Sequence, residues 1–503
     1  MKRNYSFFKS LPVILFIFLC NLSFSQYVQD GNKLVGTGAV GVLSTQGKLS
    51  ISSDGNTIAV GGYSDNGGQG AVWVFVKEFG NWIQQGNKLV GTGDTNNDAY
   101  QGRAVAIAGN GKTIITGGCR DDSFKGAAWI YTRSGNIWNQ QGNKLVGTGA
   151  NNFLSGAHQG IAVALSDDGN TAVIAGDEDS SGVGAVWIFT RIGNSWSQQG
   201  NKLVGTNIIG MAHFGSSVDI SGDGNTVAIG GDDDDNGKGA IWVFVRSGNS
   251  WTQLGNKIVP FDNNGLSELG HSIAISADGN TIVAGGTKDN SYFGATWIFT
   301  KNGNVWSQQG NKLVGTNAIN TPHCALQGTS VDISANGNRV IIGGEDDNNL
   351  AGAIWVFDRS ANNWTQTGTK FSGTGASGFN SKQGSAVAIS GNGNVISEGG
   401  MYDNSGIGAT WVFNDTTSTL GIKKYDESKF KIYPNPSTGQ FNFSDLEREN
   451  SIEIYDLTGK RIYLIMTTEN NQMIDLSEKD KGVYFYKITH STKIVQQGKL
   501  ILQ

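Results

Sequence analysis

The residues with the clearest chemical potential are acidic and lie in seven short loops. Each loop has seven residues and carries an aspartate eight positions before a tryptophan, and together the loops hold 15 of the 42 acidic residues. The recurring aspartates are Asp65, Asp121, Asp179, Asp234, Asp289, Asp347 and Asp403. An aspartate at the head of a short loop commonly fixes the turn by accepting a backbone hydrogen bond. We therefore expect a structural role for this position.

Two of these loops carry extra oxygen ligands. "DEDSSG" places Asp177 and Asp179 at alternate positions, and "DDDDNG" does the same with Asp232 and Asp234. Alternating oxygen ligands are typical of a cation site, although neither loop has the later acidic residue that completes a calcium loop. The alternative to a purely structural role is thus calcium binding in each of the two loops, at Asp177 and Asp179 and at Asp232 and Asp234. No other cofactor is predicted.

Catalysis and nucleic-acid binding find no support in the residue pattern. His158 and His213 occupy equivalent positions in two repeats, but no serine or cysteine nucleophile recurs beside them. We predict a non-enzymatic protein without catalytic residues. The net charge is −5 and no basic stripe is present, which argues against nucleic acid as a partner. Cys119 and Cys324 fall in different repeats, so no disulfide framework is expected.

The acidic loops belong to a repeat of 55 to 58 residues. A tryptophan in the pattern "GA-x-W-[VI]-[FY]" occurs seven times, and a second tryptophan before a "Q-x-G" turn occurs six times, which accounts for all 13 tryptophans. The first set is Trp73, Trp129, Trp187, Trp242, Trp297, Trp355 and Trp411. The second set is Trp82, Trp138, Trp196, Trp251, Trp306 and Trp364. A fixed period of this length is the mark of a repeat architecture.

Each repeat predicts four short strands separated by Asp-Gly, Asn-Gly and Gly-Asn turns. In "AVWVFV" both alternate faces are apolar, which favours a strand buried between two sheets. Four-stranded units packed in a ring make a β-propeller. The array begins with "QDGNKLVGT", an outer strand alone, and ends with "GATWVF", which has no outer strand after it. We predict an all-β fold, a seven-bladed propeller closed by the N-terminal strand, which leaves no open edge.

These residues resemble the FG-GAP repeat of integrin alpha chains and of many bacterial surface proteins. Phe214-Gly215 matches the "FG" of the family, while Gln-Gly or Leu-Gly stands there in other repeats. Gly61-Gly62 and its counterparts stand in place of "GAP". The resemblance covers residues 27–413 and implies a propeller. Calcium-binding members carry "Asp-x-Asp-x-Asp-Gly" between the first two strands, whereas residues 52–57 read "SSDGNT", so the family's usual metal sites are expected to be absent.

The connections that lead into each repeat differ most between copies, for example "GAVGVLST" and "NAINTPHCA". By analogy of fold they open on the same face as the acidic loops. Varied loops on a regular scaffold commonly build binding surfaces, and an acidic rim favours cations or a basic partner. We predict a monomeric binding or adhesion protein with an unknown surface glycan or protein as ligand. The alternatives are a secreted polysaccharide hydrolase with its active site in the varied loops and a purely structural surface protein.

The two ends of the chain predict export. Residues 1–25 have a basic start and a short apolar core, typical of a secretory signal peptide, and no integral membrane segment is expected after its removal. The propeller (26–415) is followed by a polar linker (416–428). Residues 429–503 resemble the C-terminal sorting (Por) domain of the type IX secretion system. The resemblance rests on Tyr433, Pro434, Asn435, Pro436 and Gly439, together with "DLTGK" at 456–460.

This second resemblance implies a small β-sandwich that the type IX secretion machinery recognises. It also implies delivery to the medium or to the outer cell surface of a Gram-negative, Bacteroidetes-like bacterium.

Overall fold

The computed structural model describes residues 27–95, 97–151, 156–378, 380–416, 430–446, 450–457, 460–490 and 493–503. The predicted signal peptide (1–25) and all but the first residue of the predicted linker (416–428) lie outside the described residues. The chain divides into two compact units, Met1–Ser418 and Thr419–Gln503. Within the described ranges, no helix is long and apolar enough to cross a membrane.

The first unit is mostly β-strand and contains seven four-stranded antiparallel sheets in a repeating pattern, consistent with an all-β propeller. We number the sheets 1 to 7 by the chain order of their first strands. The first strands are Lys48–Ile51, Ala104–Ile107, Ala162–Leu165, Ser217–Ile220, Ser272–Ile275, Gln327–Ile333 and Gln383–Ile389. The second strands are Thr57–Gly62, Thr113–Gly118, Thr171–Gly176, Thr226–Gly231, Thr281–Gly286, Arg339–Gly344 and Val395–Gly400.

The outer half of each sheet consists of a long third strand and a short fourth strand. The third strands are Ala71–Glu78, Ala127–Ser134, Ala185–Ile192, Ala240–Ser247, Ala295–Asn302, Ala353–Ser360 and Ala409–Asp415. The fourth strands of sheets 1 to 6 are Asn81–Gln84, Ile137–Gln140, Ser195–Gln198, Ser250–Gln253, Val305–Gln308 and Asn363–Gln366. In sheet 7 the fourth strand is Tyr27–Gln29, from the N-terminal end of the described chain, with Tyr27 opposite Asp415.

The apolar faces of neighbouring sheets share their cores. One core cluster joins Val173 and Ile188 of sheet 3 to Val227 and Trp242 of sheet 4. The third-strand tryptophans of all seven sheets are fully buried. In six sheets their indole N–H donates to the carbonyl of a threonine in the preceding connection, and Trp297 donates to Asp262 instead. Burial of large apolar side chains on both faces is what holds such sheets face to face.

The acidic loops fold as short helical turns between the second and third strands. Their bounds are Asp65–Gly68, Asp121–Phe124, Asp179–Gly182, Asp234–Gly237, Asp289–Tyr292, Asp347–Leu350 and Asp403–Gly406. The two central residues of each turn have left-handed backbone angles, for example φ 52° at Asn66 and 69° at Gly67. Asn, Asp, Ser and Gly supply most of these positions in the sequence, and Asn, Asp and Gly are the residues that tolerate this conformation best.

The second unit has two antiparallel sheets that share one core. The strands Lys431–Tyr433, Gln440–Ser444 and Gln472–Asp475 form the smaller sheet. The larger sheet has the order Arg461–Met466, Asn450–Tyr455, Gly482–His490 and Lys493–Leu502. The core includes Phe441 from the smaller sheet and Ile452, Ile488 and Leu500 from the larger one.

Candidate functional site

The recurring aspartates are buried and ion-paired. Each carboxylate contacts one lysine of the "GNK" or "GTK" segment, and it also accepts a hydrogen bond from a backbone amide in the connection ahead of its sheet. Asp234, for example, contacts the ammonium of Lys257 and accepts from the Ile209 amide at 2.8 Å. The remaining pairs are Lys88–Asp65, Lys144–Asp121, Lys202–Asp179, Lys312–Asp289, Lys370–Asp347 and Lys33–Asp403. These aspartates therefore fasten the loops to the outer edge of the fold.

The acidic residues of the seven loops are paired with bases, and all but two of these bases, Lys125 and Lys238, come from other segments. All 15 acidic residues lie within ion-pair distance of a lysine or histidine nitrogen. Four of them, all in sheets 3 and 4, have a histidine as that partner: Asp177, Glu178, Asp232 and Asp233. The acidic residues paired with histidine are thus confined to sheets 3 and 4, whereas the others pair with lysine.

The four aspartates predicted to bind calcium are divided between two environments. Asp179 and Asp234 are buried against Lys202 and Lys257. Asp177 lies 3.4 Å from His158 Nδ1, and Asp232 lies 3.3 Å from His271 Nδ1. Among the described residues, no group of three or more His, Cys, Asp or Glu side chains is arranged to hold a metal ion. Calcium binding at these residues stays a prediction.

A cavity of about 380 Å³ is lined by first-strand residues from all seven sheets. The residue that follows the "Gln-Gly" or equivalent pair lines it in six sheets, and we call these the mouth residues. They are Lys48, Arg103, Ile161, Ser216, His271 and Thr329. Asp177 and Asp232, at the ends of the second strands of sheets 3 and 4, also line it. The cavity thus brings together two of the predicted ligand residues and several residues that the sequence reasoning did not single out.

The residue that precedes each "Gln-Gly" or equivalent pair has the same left-handed backbone in all seven repeats. These rim residues, with φ between 50° and 60°, are Thr45, Tyr100, His158, His213, Glu268, Leu326 and Lys382. Their amides donate to the helical turn of the preceding sheet, as in His213 N–H to Gly182 O at 2.9 Å. A non-glycine residue in this region costs about 1–2 kcal/mol. The fold therefore holds seven residues with chemically different side chains in the same strained backbone conformation.

The rim and the acidic loops are in contact, as the sequence reasoning expected of loops on one face. His213 Nδ1 lies 3.3 Å from Asp233, and Lys382 Nζ lies 3.0 Å from Asp346. The ring of Tyr100 lies 5.4 Å from that of Tyr63, centroid to centroid. The sequence reasoning missed Lys48 and Arg103, although both follow a "Gln-Gly" pair and would have emerged from comparing that position across the repeats.

Lys48 is the most perturbed base at the cavity. Burial, followed by the positive charge of Arg103, lowers its pKa to about 8. Its ammonium donates to the Ser385 carbonyl at 3.4 Å. A charged ammonium in this position gains little from the protein itself.

A second cavity, of about 140 Å³, is lined by the opposite ends of the first strands. Asp219 and Asp332 line it, and each accepts a hydrogen bond from an amide of the next sheet, Ile275 N–H and Ile389 N–H at 2.8 Å. Burial raises the pKa of both carboxyl groups to about 7. These two residues join neighbouring first strands, which is a structural role.

In the second unit, the "YPNP" residues hold the last strand. Asn435 donates from Nδ2 to the Lys499 carbonyl at 2.8 Å and accepts from the Ile501 amide at 2.9 Å. Tyr433 ends the first strand of the smaller sheet and is about half exposed. At Gly439 a Cβ atom would lie 2.8 Å from Ser477 Cβ, so a larger residue would force the chain apart.

Residues 431–503 match the secretion system C-terminal sorting domain. The resemblance predicted for the tail is confirmed. This domain marks proteins that the type IX system of Bacteroidetes-type bacteria secretes to the cell surface, so the protein is secreted to that surface.

No curated protein matches the sequence. Among solved structures, "Kuenenia stuttgartiensis Hydrazine Synthase" is similar at a TM-score of 0.46 and 11% identity, over 73% of this chain and 95% of that chain.

The larger sheet of the sorting domain carries one polar network. Glu453 accepts hydrogen bonds from Tyr455, from Arg461 at 2.9 Å and from Lys487 at 3.3 Å. These contacts join three neighbouring strands, and the Tyr455 hydrogen bond contributes most to lowering the pKa of Glu453. Because the network is largely solvent-exposed, its contribution to stability is small.

Proposed function

We propose that the protein is an exported, non-enzymatic binding protein whose ligand site is the face formed by the rim and mouth residues. One observation carries the proposal: seven different side chains share one strained backbone geometry around a cavity lined by all seven sheets. Strain of this kind tends to be retained at functional sites. Concave sites with a few convergent polar groups are the usual ligand pockets of proteins.

The proposed scaffold is a closed, seven-bladed propeller of FG-GAP type. The pairing of Tyr27–Gln29 with the third strand of sheet 7 supports closure. The repeat type is supported by the first position of its motif, which is fully buried both in sheet 1 and in sheet 4. Gln46 holds the backbone of Gly36 through two hydrogen bonds, and Phe214 packs against Trp242 at the same position of sheet 4. We propose that the protein acts as a monomer.

The proposed export route has two steps. The predicted signal peptide (1–25) directs passage across the inner membrane, and the type IX machinery then recognises the sorting domain. The match of residues 431–503 supports the second step. The ligand-binding face would then meet glycans or proteins outside the cell.

A second candidate function is hydrolysis of a polysaccharide. The observation that favours it is that Asp177 and Asp232 line the same cavity, because glycoside hydrolases use a pair of carboxyl groups. Both carboxylates, however, already have a histidine nitrogen within 3.4 Å, His158 for Asp177 and His271 for Asp232. Binding without turnover is therefore the function we favour.

The test is a glycan and matrix-protein array probed with the full secreted chain, with calcium and with a chelator. We expect selective binding that is weakened by Tyr100→Ala and His213→Ala on the rim. The matched control is Phe79→Ala, which lies at the opposite end of a third strand and is fully exposed. Absence of binding under both conditions would contradict the proposal. Release of reducing sugar from a bound polysaccharide would support the hydrolase instead.

A further inference from the structure

Lys48 is a cation at the mouth of the cavity, and no carboxylate among the described residues lies within ion-pair distance of it; Glu345 attracts its charge from further away but pairs with Lys382. Its hydrogen bond to the Ser385 carbonyl is long, at 3.4 Å, whereas the recurring aspartates each hold their own lysine at close range. Burying an unpaired charge is costly. Its lowered pKa, caused first by burial and then by Arg103, reflects that cost. We therefore expect the Lys48 ammonium to bind an anion that comes from outside the protein.

Arg103 occupies the same repeat position in the next sheet and adds to this charge. Its guanidinium lies over the ring of Tyr63 at 5.9 Å, and within the described residues it has no ion pair. Both side chains line the same cavity. Two neighbouring cations suit a carboxylate, and an arginine fork can bind both of its oxygens.

Residues of the later sheets give the same cavity the opposite character. Asp177, Asp232 and His271 line it, and so do Ser216 and Ser217. Sheets 1 and 2 thus present positive charge, and sheets 3 and 4 present hydrogen-bond acceptors. The volume, about 380 Å³, lies in the range of small-ligand pockets.

We infer that this cavity binds a sugar that carries a carboxylate, such as the terminal uronic acid of an acidic polysaccharide. Lys48 and Arg103 hold the carboxylate, while the hydroxyl groups of the ring donate to Asp177 and Asp232. The inference rests on the proposed function and names its ligand class. A sugar fits because the remaining polar lining, apart from His271, consists of serine and threonine hydroxyls, whose oxygens can accept hydrogen bonds from sugar hydroxyls.

The experiment is calorimetric titration of the full secreted chain with digalacturonate, with neutral digalactose and with free glutamate. We expect digalacturonate to bind and digalactose to bind at least tenfold more weakly. Lys48→Gln and Arg103→Gln should each weaken the binding of digalacturonate at least tenfold. Lys112→Gln, at an exposed lysine elsewhere, should leave this binding unchanged. Equal binding of both sugars would overturn the inference, and so would binding of glutamate alone.

A second readout separates a binding role from a structural one. Without ligand, Lys48→Gln should raise the melting temperature, because it removes a partly buried charge that has no ion-pair partner among the described residues. A lower melting temperature would assign Lys48 a structural role and overturn the inference. If the array finds a ligand but no carboxylated sugar binds, the inference fails and the proposed function stands. If the array finds none, the proposed function fails as well.

Discussion

The ammonium of Lys33 lies 2.6 Å from the carboxylate of Asp403. Lys33 precedes the first strand of sheet 1, whereas Asp403 belongs to the helical turn of sheet 7. In the other six repeats the paired lysine follows its aspartate by 23 residues. The N-terminal segment therefore makes, in sheet 7, the contact that the chain after the fourth strand makes elsewhere, which supports the proposed closure.

Lys33→Met should destabilise the fold as strongly as Lys202→Met, which breaks the equivalent pair within sheet 3. Removing one partner of a buried ion pair typically costs about 3–5 kcal/mol, because the other charge stays buried. Thermal unfolding of both variants measures this, with Lys112→Met as an exposed control. A much smaller effect of Lys33→Met would mean that the N-terminal segment is not docked in solution.

The repeat, its strands and its buried tryptophans could be predicted from the sequence because their signals are local and recur. "GAVWVFV" already implies a strand buried on both faces, and Trp73 is fully buried. The pairing of the acidic loops could not be predicted because most of their bases come from elsewhere in the chain. Lys257 reaches Asp234 from the next connection, and His271 reaches Asp232 from the next sheet. Such contacts between segments leave no local pattern.

Leu254→Gln should stabilise the protein by about 0.5–1.5 kcal/mol, the usual net gain from a new hydrogen bond. Trp138, Trp196, Trp251 and Trp364 each donate an indole N–H to a glutamine that ends the preceding fourth-strand segment. For Trp306 that position is Leu254, and the Trp306 indole nitrogen is buried with no acceptor among the described residues. Both residues line a groove of about 470 Å³.

The reverse change, Gln141→Leu, is the matched control for this prediction. It removes the acceptor of Trp196 and should lower stability by about 1–3 kcal/mol. Differential scanning calorimetry of the two variants measures both effects. A destabilising Leu254→Gln would show that the groove cannot accommodate the amide.

Glu398→Gln should change how stability depends on pH. Glu398 is fully buried, burial raises its pKa to about 8, and it accepts a hydrogen bond from the Gly373 amide at 2.7 Å. The other six sheets have Val, Thr, Ile or Ala at this position. The folded protein keeps a proton that the unfolded chain, with an ordinary glutamate pKa, has released. Stability from this group is therefore complete below about pH 4.5 and falls as the pH rises to about 8, by about 1.4 kcal/mol per unit.

A glutamine side chain has nearly the same shape as the glutamate side chain but does not ionise. The variant should match the wild type near pH 5 and exceed it clearly at pH 9, in urea unfolding at both values. Glu78→Gln, at a partly exposed position, should change the urea unfolding curve little at either pH. The same change in stability between pH 5 and pH 9 for Glu398→Gln and the wild type would contradict a buried, protonated Glu398.

Calcium binding in sheets 3 and 4 can be decided by calorimetry on the full chain at millimolar calcium. Calcium bound by the two predicted aspartates of either loop would have to displace Lys202 from Asp179 or Lys257 from Asp234. We therefore expect uptake, if it occurs, to be abolished by Asp177→Asn combined with Asp232→Asn, with little change in stability. Asp122→Asn, an exposed aspartate in another loop, is the control. If calcium addition gives no heat of binding, the calcium prediction is wrong.

Asn435→Ala should impair delivery to the cell surface. The side chain joins the "YPNP" segment to the last strand through the Lys499 carbonyl and the Ile501 amide, and losing both bonds costs about 1 kcal/mol each. Immunoblots of periplasm, surface and medium from a Bacteroidetes host expressing the full chain measure the effect. We expect partial retention in the periplasm for Asn435→Ala and full retention when residues 431–503 are deleted. Asn435→Asp keeps the acceptor for Ile501 and should be intermediate. Normal export of Asn435→Ala beside a retained deletion would mean that the secretion machinery recognises a surface that does not depend on this strand contact.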